Sequence, residues 1–464
     1  MTTMLFRQVL HEDLGCASYL VADGGEAAVI DPKWEIEDYL RLAAEHGFEI
    51  HHVLETHNHA DHVSGKGRLV HATGATIHLP ANADVAFEHE PLSDGGTVAV
   101  GRVRITAVAT PGHRPEHVAY AIADGSRGDE RWLVVTGDSL FVGDVARPDL
   151  AVDPEKGARD LRKSMQRLLE LDDFAEVWPG HIGGSLCGGA GMSEKPGTTI
   201  GFERRFNRLL NLDGEDAFVR ELTSHLGPQP PNFKRIVELN RGPLLMEAAT
   251  LDPFSPARVK EMLDAGATLL DGRAPREFDA AHVPGSINVT MVRSAVGTRA
   301  AWIVDPASDV VLTAGSDEES ARMGRLLEAV GFRRLRALLA GGVAAWQEAG
   351  LEISSTPAID VHELAKRWQR GDVDLLDVRE DDEWEEGHVE GSIHVPYHEL
   401  RDGGPARLGL TERGRVLAVV CSAGNRSSIA TSLLRRSGVR DVIHVAEGGV
   451  EDLKKEGIPL VEGK

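Results

Sequence analysis

The sequence predicts an α/β multidomain chain, and three observations carry that reading. Four apolar, strand-like runs in the first half each end in a turn residue followed by metal-ligand side chains, the usual way a layered fold builds a site at a sheet edge. Strand-like and helix-like segments alternate through the second half, which implies parallel sheets with helices on both faces. The pattern of that second half occurs twice, about a hundred residues apart, so it is two duplicated domains and not a short-period array. Breakers at Pro228-Gln229-Pro230-Pro231 and Gly242-Pro243 place the end of the first domain near 250. The expected division of the 464 residues is 1–250, 251–355 and 356–464.

Charged residues make up 27% and hydrophobic ones 42%, enough to bury sizeable cores. The net charge of −23, with no basic stripe, argues against nucleic acid as a partner. No apolar run approaches the ~18 residues of a membrane span. Met1-Thr2-Thr3-Met4-Leu5-Phe6 lacks the charged-then-apolar pattern of an export signal. Cys16, Cys187 and Cys421 lie far apart and form no C-x-x-C, which fits a reducing cytoplasm.

In chain order, Tyr19-Leu20-Val21 and Ala27-Ala28-Val29-Ile30 around Asp23-Gly24-Gly25 read as a hairpin. Residues 36–46 read as a helix stopped by Gly47. Val53-Leu54 leads through Thr56 into His57-Asn58-His59-Ala60-Asp61-His62. Three imidazoles and a carboxylate in six residues cannot all be buried cheaply; a bound metal gives each lone pair a partner. Residues 63–73 read as a helix ending at Gly74, and 75–79 as a strand stopped by Pro80. The strand-like run 103–110 ends in Pro111-Gly112-His113, 132–135 in Thr136-Gly137-Asp138, and 174–178 in Pro179-Gly180-His181. Arg147 lies a few residues beyond Asp138, where it could hold a substrate carboxylate bidentately or form an ordinary ion pair. The glycines of 183–191 either let backbone approach a ligand or make a loop. Residues 202–226 are helix-rich.

The duplicated pattern is specific. Leu269-Leu270-Asp271-Gly272-Arg273 matches Leu375-Leu376-Asp377-Val378-Arg379. His282-Val283-Pro284-Gly285-Ser286-Ile287 matches His388-Val389-Glu390-Gly391-Ser392-Ile393, and Gly341-Gly342-Val343 matches Gly448-Gly449-Val450. In the second copy the strand 415–420 ends at Cys421, and Ser422-Ala423-Gly424-Asn425-Arg426-Ser427 opens a helix over 428–436. A cysteine at such a turn faces the backbone N–H groups of the loop 422–425 and the positive helix end. That cradle favours its thiolate and binds an anionic sulfur donor or a cysteine persulfide, and Arg426 adds charge. Gap-free alignment of the copies places Ala314 opposite Cys421 and Glu319 opposite Arg426. With no nucleophile and a repelling carboxylate, the first copy is expected to be structural or to dock a partner.

The metal motifs of residues 1–200 resemble the metallo-β-lactamase superfamily, which implies an αββα sandwich with its metal at the loop ends of the two sheets. The duplicated pattern resembles the rhodanese family, including its C-x4-R loop; related phosphatase loops are one residue longer, so sulfur transfer is preferred. Two readings of the metal site stay open. One resembles glyoxalase II thiolester hydrolases: His57, His59 and His113 bind one metal, Asp61, His62 and His181 a second, and Asp138 bridges, the pair activating hydroxide. The other resembles persulfide dioxygenases: His57, His113 and Asp138 hold one Fe(II) per chain and leave positions for O2 and a persulfide sulfur. His59, Asp61, His62 and His181 then orient ligands and substrate. Zinc could replace iron in a purified sample.

The domain order resembles bacterial persulfide dioxygenase–sulfurtransferase fusions, and a sulfane-sulfur carrier suits a persulfide oxidiser better than a thiolester hydrolase. That family also carries cysteines resembling Cys16 and Cys187, which makes both candidate redox sites. The resemblance implies oxidation of a thiol persulfide by O2 to sulfite, and sulfur transfer through Cys421 to sulfite to give thiosulfate. Glutathione, coenzyme A and bacillithiol are all anionic and would all suit Arg147. The sequence leaves the thiol and the oligomeric state open, a homo-oligomer included.

Overall fold

Strands that are apolar at every position, rather than at alternate ones, must be covered on both faces. Cys16–Asp23 is buried throughout. Its Tyr19 and Val21 join Ala28, Ile30, Leu54, Ile105, Tyr120 and Val135 in a core between two sheets. Its Leu20 and Ala22 point the other way, onto Tyr39 and Ala43 of helix Glu37–His46 and Leu69 of helix Lys66–Thr73. On the second sheet, Ala119, Ala121 and Val134 face outward onto Leu161 and Met165 of helix Pro154–Leu168 and Phe218 of helix Glu215–Ser224. The layers therefore run helix, sheet, sheet, helix, the expected αββα sandwich. This computed structural model describes all residues except 1–3, 12, 184, 186, 190, 225, 292–294, 402, 411–413 and 464. The chain divides into two units, Met1–Ala248 with Glu328–Gly331, and Ala249–Leu327 with Phe332–Lys464. Among the described residues, no helix is long and apolar enough to cross a membrane.

In the first unit, one sheet runs Leu5–His11, Cys16–Asp23, Glu26–Ile30, Glu49–Leu54, Thr76–Pro80, Glu90–Leu92 from edge to edge. The other runs Thr198–Thr199, Glu176–Pro179, Leu133–Gly137, Val118–Asp124, Val103–Ala109, Thr97–Val100. The expected hairpin turns at Gly24 and Gly25, both at positive φ, with Asp23 paired to Glu26. The helix expected from residue 63 begins at Lys66, because Gly65 donates its N–H to Pro32 O and holds the preceding residues in a loop. The helix-rich stretch resolves into Ile200–Phe206 and Glu215–Ser224.

Two tyrosines tie the metal-bearing loops of the sheets together. Tyr19, from the first sheet, donates to Pro179 O at 2.6 Å, two residues before His181. Tyr120, from the second, donates to Glu55 O at 2.8 Å, two residues before His57. Both side chains are fully buried, and burial pushes both phenols above their ordinary range, so both stay donors.

In the second unit each copy forms a five-stranded, all-parallel sheet. The order is Pro253–Phe254, Leu335–Leu339, Val310–Thr313, Thr268–Asp271, Ile287–Asn288 in the first. It is Ala358–Asp360, Val442–Glu447, Val416–Val420, Val373–Asp377, Ile393–His394 in the second. The repeated motifs are mostly internal scaffolding. Arg273 chelates Asp271 and donates to Ala281 O, and Arg379 does the same with Asp377 and Gly387 O. His282 stacks on Phe278, as His388 does on Trp384. Ser286 and Ser392 each close a turn onto the carbonyl three residues back.

Removing either tyrosine hydroxyl leaves a buried carbonyl without its donor, at a cost of roughly 1–2 kcal/mol. Tyr19→Phe and Tyr120→Phe should therefore each raise amide hydrogen exchange in residues 176–181 and 54–59. Unchanged exchange in both variants would show that the sandwich core alone holds the loops.

Candidate active sites

Each residue of the metal pocket has one polar atom spent on the protein and one left open. His57 Nδ1 lies 2.9 Å from Thr56 Oγ1, whose own proton goes to Asp31 Oδ2 at 2.8 Å. The imidazole must then donate from Nδ1, which leaves Nε2 with its lone pair. His113 Nδ1 donates to Arg147 O at 2.9 Å and likewise frees its Nε2. Asp138 Oδ1 accepts from His181 Nδ1 at 2.8 Å and leaves Oδ2. Asp138 Oδ2 stands 3.4 Å from His113 Nε2 and 3.9 Å from His57 Nε2. One ligand atom from each of these three residues falls within 4.8 Å of the others. Neither His57 Nε2 nor Asp138 Oδ2 has a hydrogen-bond partner among the described residues. Burial lowers the proton affinity of both histidines, so their lone pairs are available to a cation. Two neutral imidazoles and a carboxylate with unspent donor atoms suit a divalent metal such as Fe(II) or zinc.

The remaining motif residues are engaged in other ways. His59 turns Nε2 to Asp31 Oδ1 (3.2 Å) and Glu55 Oε2 (2.9 Å); burial opposes a charge, but the two carboxylates hold the ring at about 10. His181 bridges Asp138 and Asp61 Oδ2 (2.9 Å) with both nitrogens donating, and those carboxylates hold it well above the ordinary histidine range against burial. Asp61 Oδ2 also accepts from His62 Nδ1 and from Cys16 Sγ. Cys16 and Cys187 are buried free thiols beside His181 and Asp61, and burial pushes both up, away from the thiolate a redox role would use.

Of the two roles open to Arg147, the structure shows the ion pair: its guanidinium is buried and chelates Asp149 at 2.7 and 2.8 Å, with a further bond to Gly227 O. Its carbonyl, which orients His113, is what reaches the site. The glycines after His181 pack on the protein itself, Gly189 and Gly191 against the Asp144 carboxylate; residues 184, 186 and 190 lie outside the described residues.

Several positions that the motifs did not single out complete the pocket. Asp31 adopts φ 52°, strained for a residue with a side chain, and takes both the Thr56 N–H and hydroxyl. His117, kept neutral near about 3 by burial, accepts the Asp138 N–H on Nε2 at 3.0 Å. Asn240 donates to His59 O and His62 O and accepts from Ser64 N, which pins the motif loop. The Asp-Pro step at a strand end and a histidine four residues past His113 were the available signals; Asn240 had none.

In the second unit Cys421 follows the central strand Val416–Val420, and the helix after it is longer than expected, Asn425–Arg436. Cys421 is buried. Gly424, at φ 85°, donates its N–H to Cys421 Sγ at 3.2 Å, and Ser427 Oγ lies 3.4 Å from the sulfur. A Cβ on Gly424 would approach Ala446 O to 2.7 Å, so the position is restricted to glycine in both conformation and space. Ser422, Ala423 and Asn425 supply the rest of the loop. Arg426 sits on the loop as a paired cation: it forks onto Glu383 and donates to Ser422 Oγ at 2.9 Å. Ala314 sits just beyond Val310–Thr313, at the place Cys421 takes in the other copy.

A Cβ at Gly180 would collide with Asp138 Oδ1. Gly180→Ala should thus displace Asp138 and lower the metal content of purified protein by about tenfold, the scale seen when a ligand loses its support; full metal content would contradict this account. At the sulfur loop, burial raises the Glu383 carboxyl, but the Arg426 hydrogen bonds outweigh it and hold it at about 2, below its ordinary 4.5. A depressed carboxylate contributes stability that is complete above the ordinary value and lost as pH falls through the lowered one. Glu383→Gln should flatten the acid dependence of the second unit's melting below pH 4.5; parallel acid slopes would show that the pair contributes nothing.

Family models match this arrangement. Residues 11–181 match the metallo-beta-lactamase superfamily, and residues 255–349 and 360–456 each match the rhodanese-like domain. A hydroxyacylglutathione hydrolase of Pseudomonas entomophila is 33% identical over 154 residues, 33% of this chain and 56% of that protein. A metallo-beta-lactamase crystal structure from Staphylococcus aureus superposes with TM-score 0.66 at 26% identity, covering 73% of this chain and 99% of its own, a share larger than the first unit alone. The ETHE1 structure from Myxococcus xanthus is 29% identical over 51% of this chain and 98% of its own, with TM-score 0.45. The chain is a metallo-beta-lactamase superfamily domain followed by two rhodanese-like domains.

Proposed function

We propose that the protein oxidises a low-molecular-weight thiol persulfide to sulfite with O2 and transfers sulfane sulfur through Cys421 to give thiosulfate. The observation that carries this reading is one of the four three-ligand groups among the described residues, His57, His113 and Asp138, which brings two imidazoles and a carboxylate together with His57 Nε2 and Asp138 Oδ2 unpartnered. His57, His113 and Asp138 would hold one Fe(II), which when bound supplies the O2 chemistry that a bare set of acid–base groups lacks. The reaction balances as R–S–SH + O2 + H2O giving R–SH, sulfite and two protons. Around that pocket, Thr56 and the Arg147 carbonyl fix the two imidazole tautomers, and His117 holds the Asp138 backbone. The cationic His59 and His181 offset the carboxylates nearby.

At the second site the Cys421 thiolate attacks the outer sulfur of a persulfide, a Cys–S–S⁻ forms, and the donor leaves as its thiol. Sulfite then attacks that outer sulfur, thiosulfate departs, and the thiolate returns. The loop N–H groups stabilise the anionic sulfur at both stages. The first copy is unsuited to the step: Ala314 replaces the nucleophile, and the helix facing it opens with Asp317, Glu318 and Glu319. Glutathione, coenzyme A and bacillithiol persulfides remain the candidate donors, with recognition falling to groups other than Arg147.

A binuclear thiolester hydrolase is the second reading. It is favoured by His59 Nδ1, His62 Nε2 and Asp61 Oδ1, buried atoms with no hydrogen-bond partner among the described residues, and by the hydrolase name of the Pseudomonas relative. It requires His181 to release both carboxylates. Protein made in iron-supplied medium separates the two. One iron per chain, with oxygen uptake on glutathione persulfide, is the expected result; two metals per chain and faster hydrolysis of a glutathione thiolester would favour the hydrolase. In the same assay Cys421→Ser should abolish thiosulfate while oxygen uptake continues and sulfite accumulates. Ala314→Cys added to that variant should not restore transfer. Thiosulfate at the wild-type rate from Cys421→Ser would remove Cys421 as the carrier.

A further inference from the structure

A buried histidine stands behind the Cys421 loop, and its partner comes from the copy that has no cysteine. His444 lies on strand Val442–Glu447, beside Val419 of the strand that delivers Cys421, and is fully buried. Its neighbour Val445 joins the apolar core, whereas His444 points to the opposite face, toward the helix Asn425–Arg436. Nε2 is 2.9 Å from Gly424 O and 3.1 Å from Ser427 Oγ. Nδ1 is 2.7 Å from Asp279 Oδ2, on helix Pro275–Ala280 of the first copy. Asp279 is itself buried. Ser427 Oγ lies 3.4 Å from Cys421 Sγ, and Gly424 N–H points at the same sulfur. Asp279, His444 and the Gly424–Ser427 corner therefore form one chain of hydrogen bonds that ends on the nucleophile.

Val419, two residues before Cys421, pairs with His444, and Leu312, two residues before Ala314, pairs with Leu338, so a leucine stands in the first copy where the histidine stands in the second. Where the cysteine is missing, the histidine is missing too. In the opposite sense, the buried Asp279 aligns with Glu385, which is exposed. The first copy also docks on the same helix through Asn288, whose Oδ1 accepts from Ser428 Oγ at 2.6 Å and whose N–H donates to Ser432 Oγ.

We infer that the cysteine-less rhodanese copy supplies a positioning residue, Asp279, which acts through His444 to hold the Cys421 cradle in its sulfur-binding shape; this rests on the sulfurtransfer reading above. Both ring nitrogens of His444 face oxygen atoms that accept, so Asp279 directs the ring and Nε2–H clamps Gly424 O. With its carbonyl clamped, Gly424 keeps its left-handed backbone, and its N–H stays on the sulfur, where it favours the thiolate and the anionic outer sulfur of the persulfide.

The test uses the full-length chain and follows two quantities: alkylation of Cys421 by iodoacetamide, read peptide by peptide by mass spectrometry, and kcat and KM for thiosulfate formation. Asp279→Ala should slow both alkylation and kcat by about tenfold, with KM for sulfite changed by less than about twofold and oxygen uptake unaltered. Asp279→Asn, which keeps an oxygen for Nδ1–H, should recover most of that loss. His444→Ala should match Asp279→Ala, and the double variant should be no slower than either. If Asp279→Ala does not fold, His444→Gln carries the comparison. Its amide can serve Gly424 O but not Asp279, so alkylation and kcat should fall in His444→Gln as well, and wild-type values in that folded variant would overturn the inference. Wild-type alkylation and kcat in folded Asp279→Ala would overturn the inference, as would losses that multiply in the double variant. Thiosulfate formation that survives Cys421→Ser would instead overturn the sulfurtransfer reading, whatever Asp279 does.

Discussion

The metal pocket depends on the way Asp138 is divided, one carboxylate oxygen bound to His181 and the other left open. A buried oxygen without a partner costs about 1–3 kcal/mol, and a protein that keeps one must over-determine its position. Here the backbone does so. Asp138 N–H is fixed to His117, Gly137 turns the chain at φ 50°, and Gly180 leaves room for Oδ1 where no side chain would fit. The same division recurs in His57 and His113, each of which spends Nδ1 on a neighbour. Three open lone pairs converge because three spent atoms hold them there, and the Tyr19 and Tyr120 hydroxyls keep the two contributing sheets in register.

This division explains why seven motif residues need not make a two-metal centre. The motif supplies enough lone pairs for two ions, but hydrogen-bond partners decide how many remain open. Asp61 Oδ2 receives three donors, and His181 gives up both of its nitrogens. His59 Nδ1, His62 Nε2 and Asp61 Oδ1 stay open, so ligand types at the right spacing fix the neighbourhood of a metal site and leave the number of ions to whether His181 keeps its two carboxylates.

What could be read from residues alone follows from how local each interaction is. Continuous apolar runs located the strands, glycines at 47 and 74 stopped their helices in left-handed geometry, and the H-x-H-x-D-H, P-G-H and T-G-D motifs lay at strand ends as expected. For Arg147 both roles were open, because Asp149, two residues away, was as available as any ligand, and only the folded loop shows that the pair closes. The Glu383 partner of Arg426, 43 residues distant, was likewise beyond what the loop sequence encodes. Thr56 and Asp31 were visible as residues, but their role passes through a hydroxyl relay that no spacing encodes. His444 and Asp279, 165 residues apart, were beyond any local pattern.

The two sites apply one rule with opposite signs. The metal pocket gathers acceptors by spending the far atom of each ligand on a donor. The Cys421 loop gathers donors by spending backbone carbonyls on acceptor-seeking groups: Gly424 O takes both the first helical N–H, from Ser428, and the His444 ring, and this frees Gly424 N–H for the sulfur. A duplicated domain that has lost its nucleophile can still serve such a loop, since what the loop needs from outside is a fixed carboxylate and a docking surface, not chemistry. The first copy retains the Asp271–Arg273 chelate and the Phe278–His282 stack at the two ends of Asp279's helix, so that helix keeps its place. On the proposed sulfurtransfer, the alanine at 314 and the retained scaffold of Asp279 are consistent outcomes of one division of labour, in which one copy would carry sulfur and the other would hold the carrier's shape.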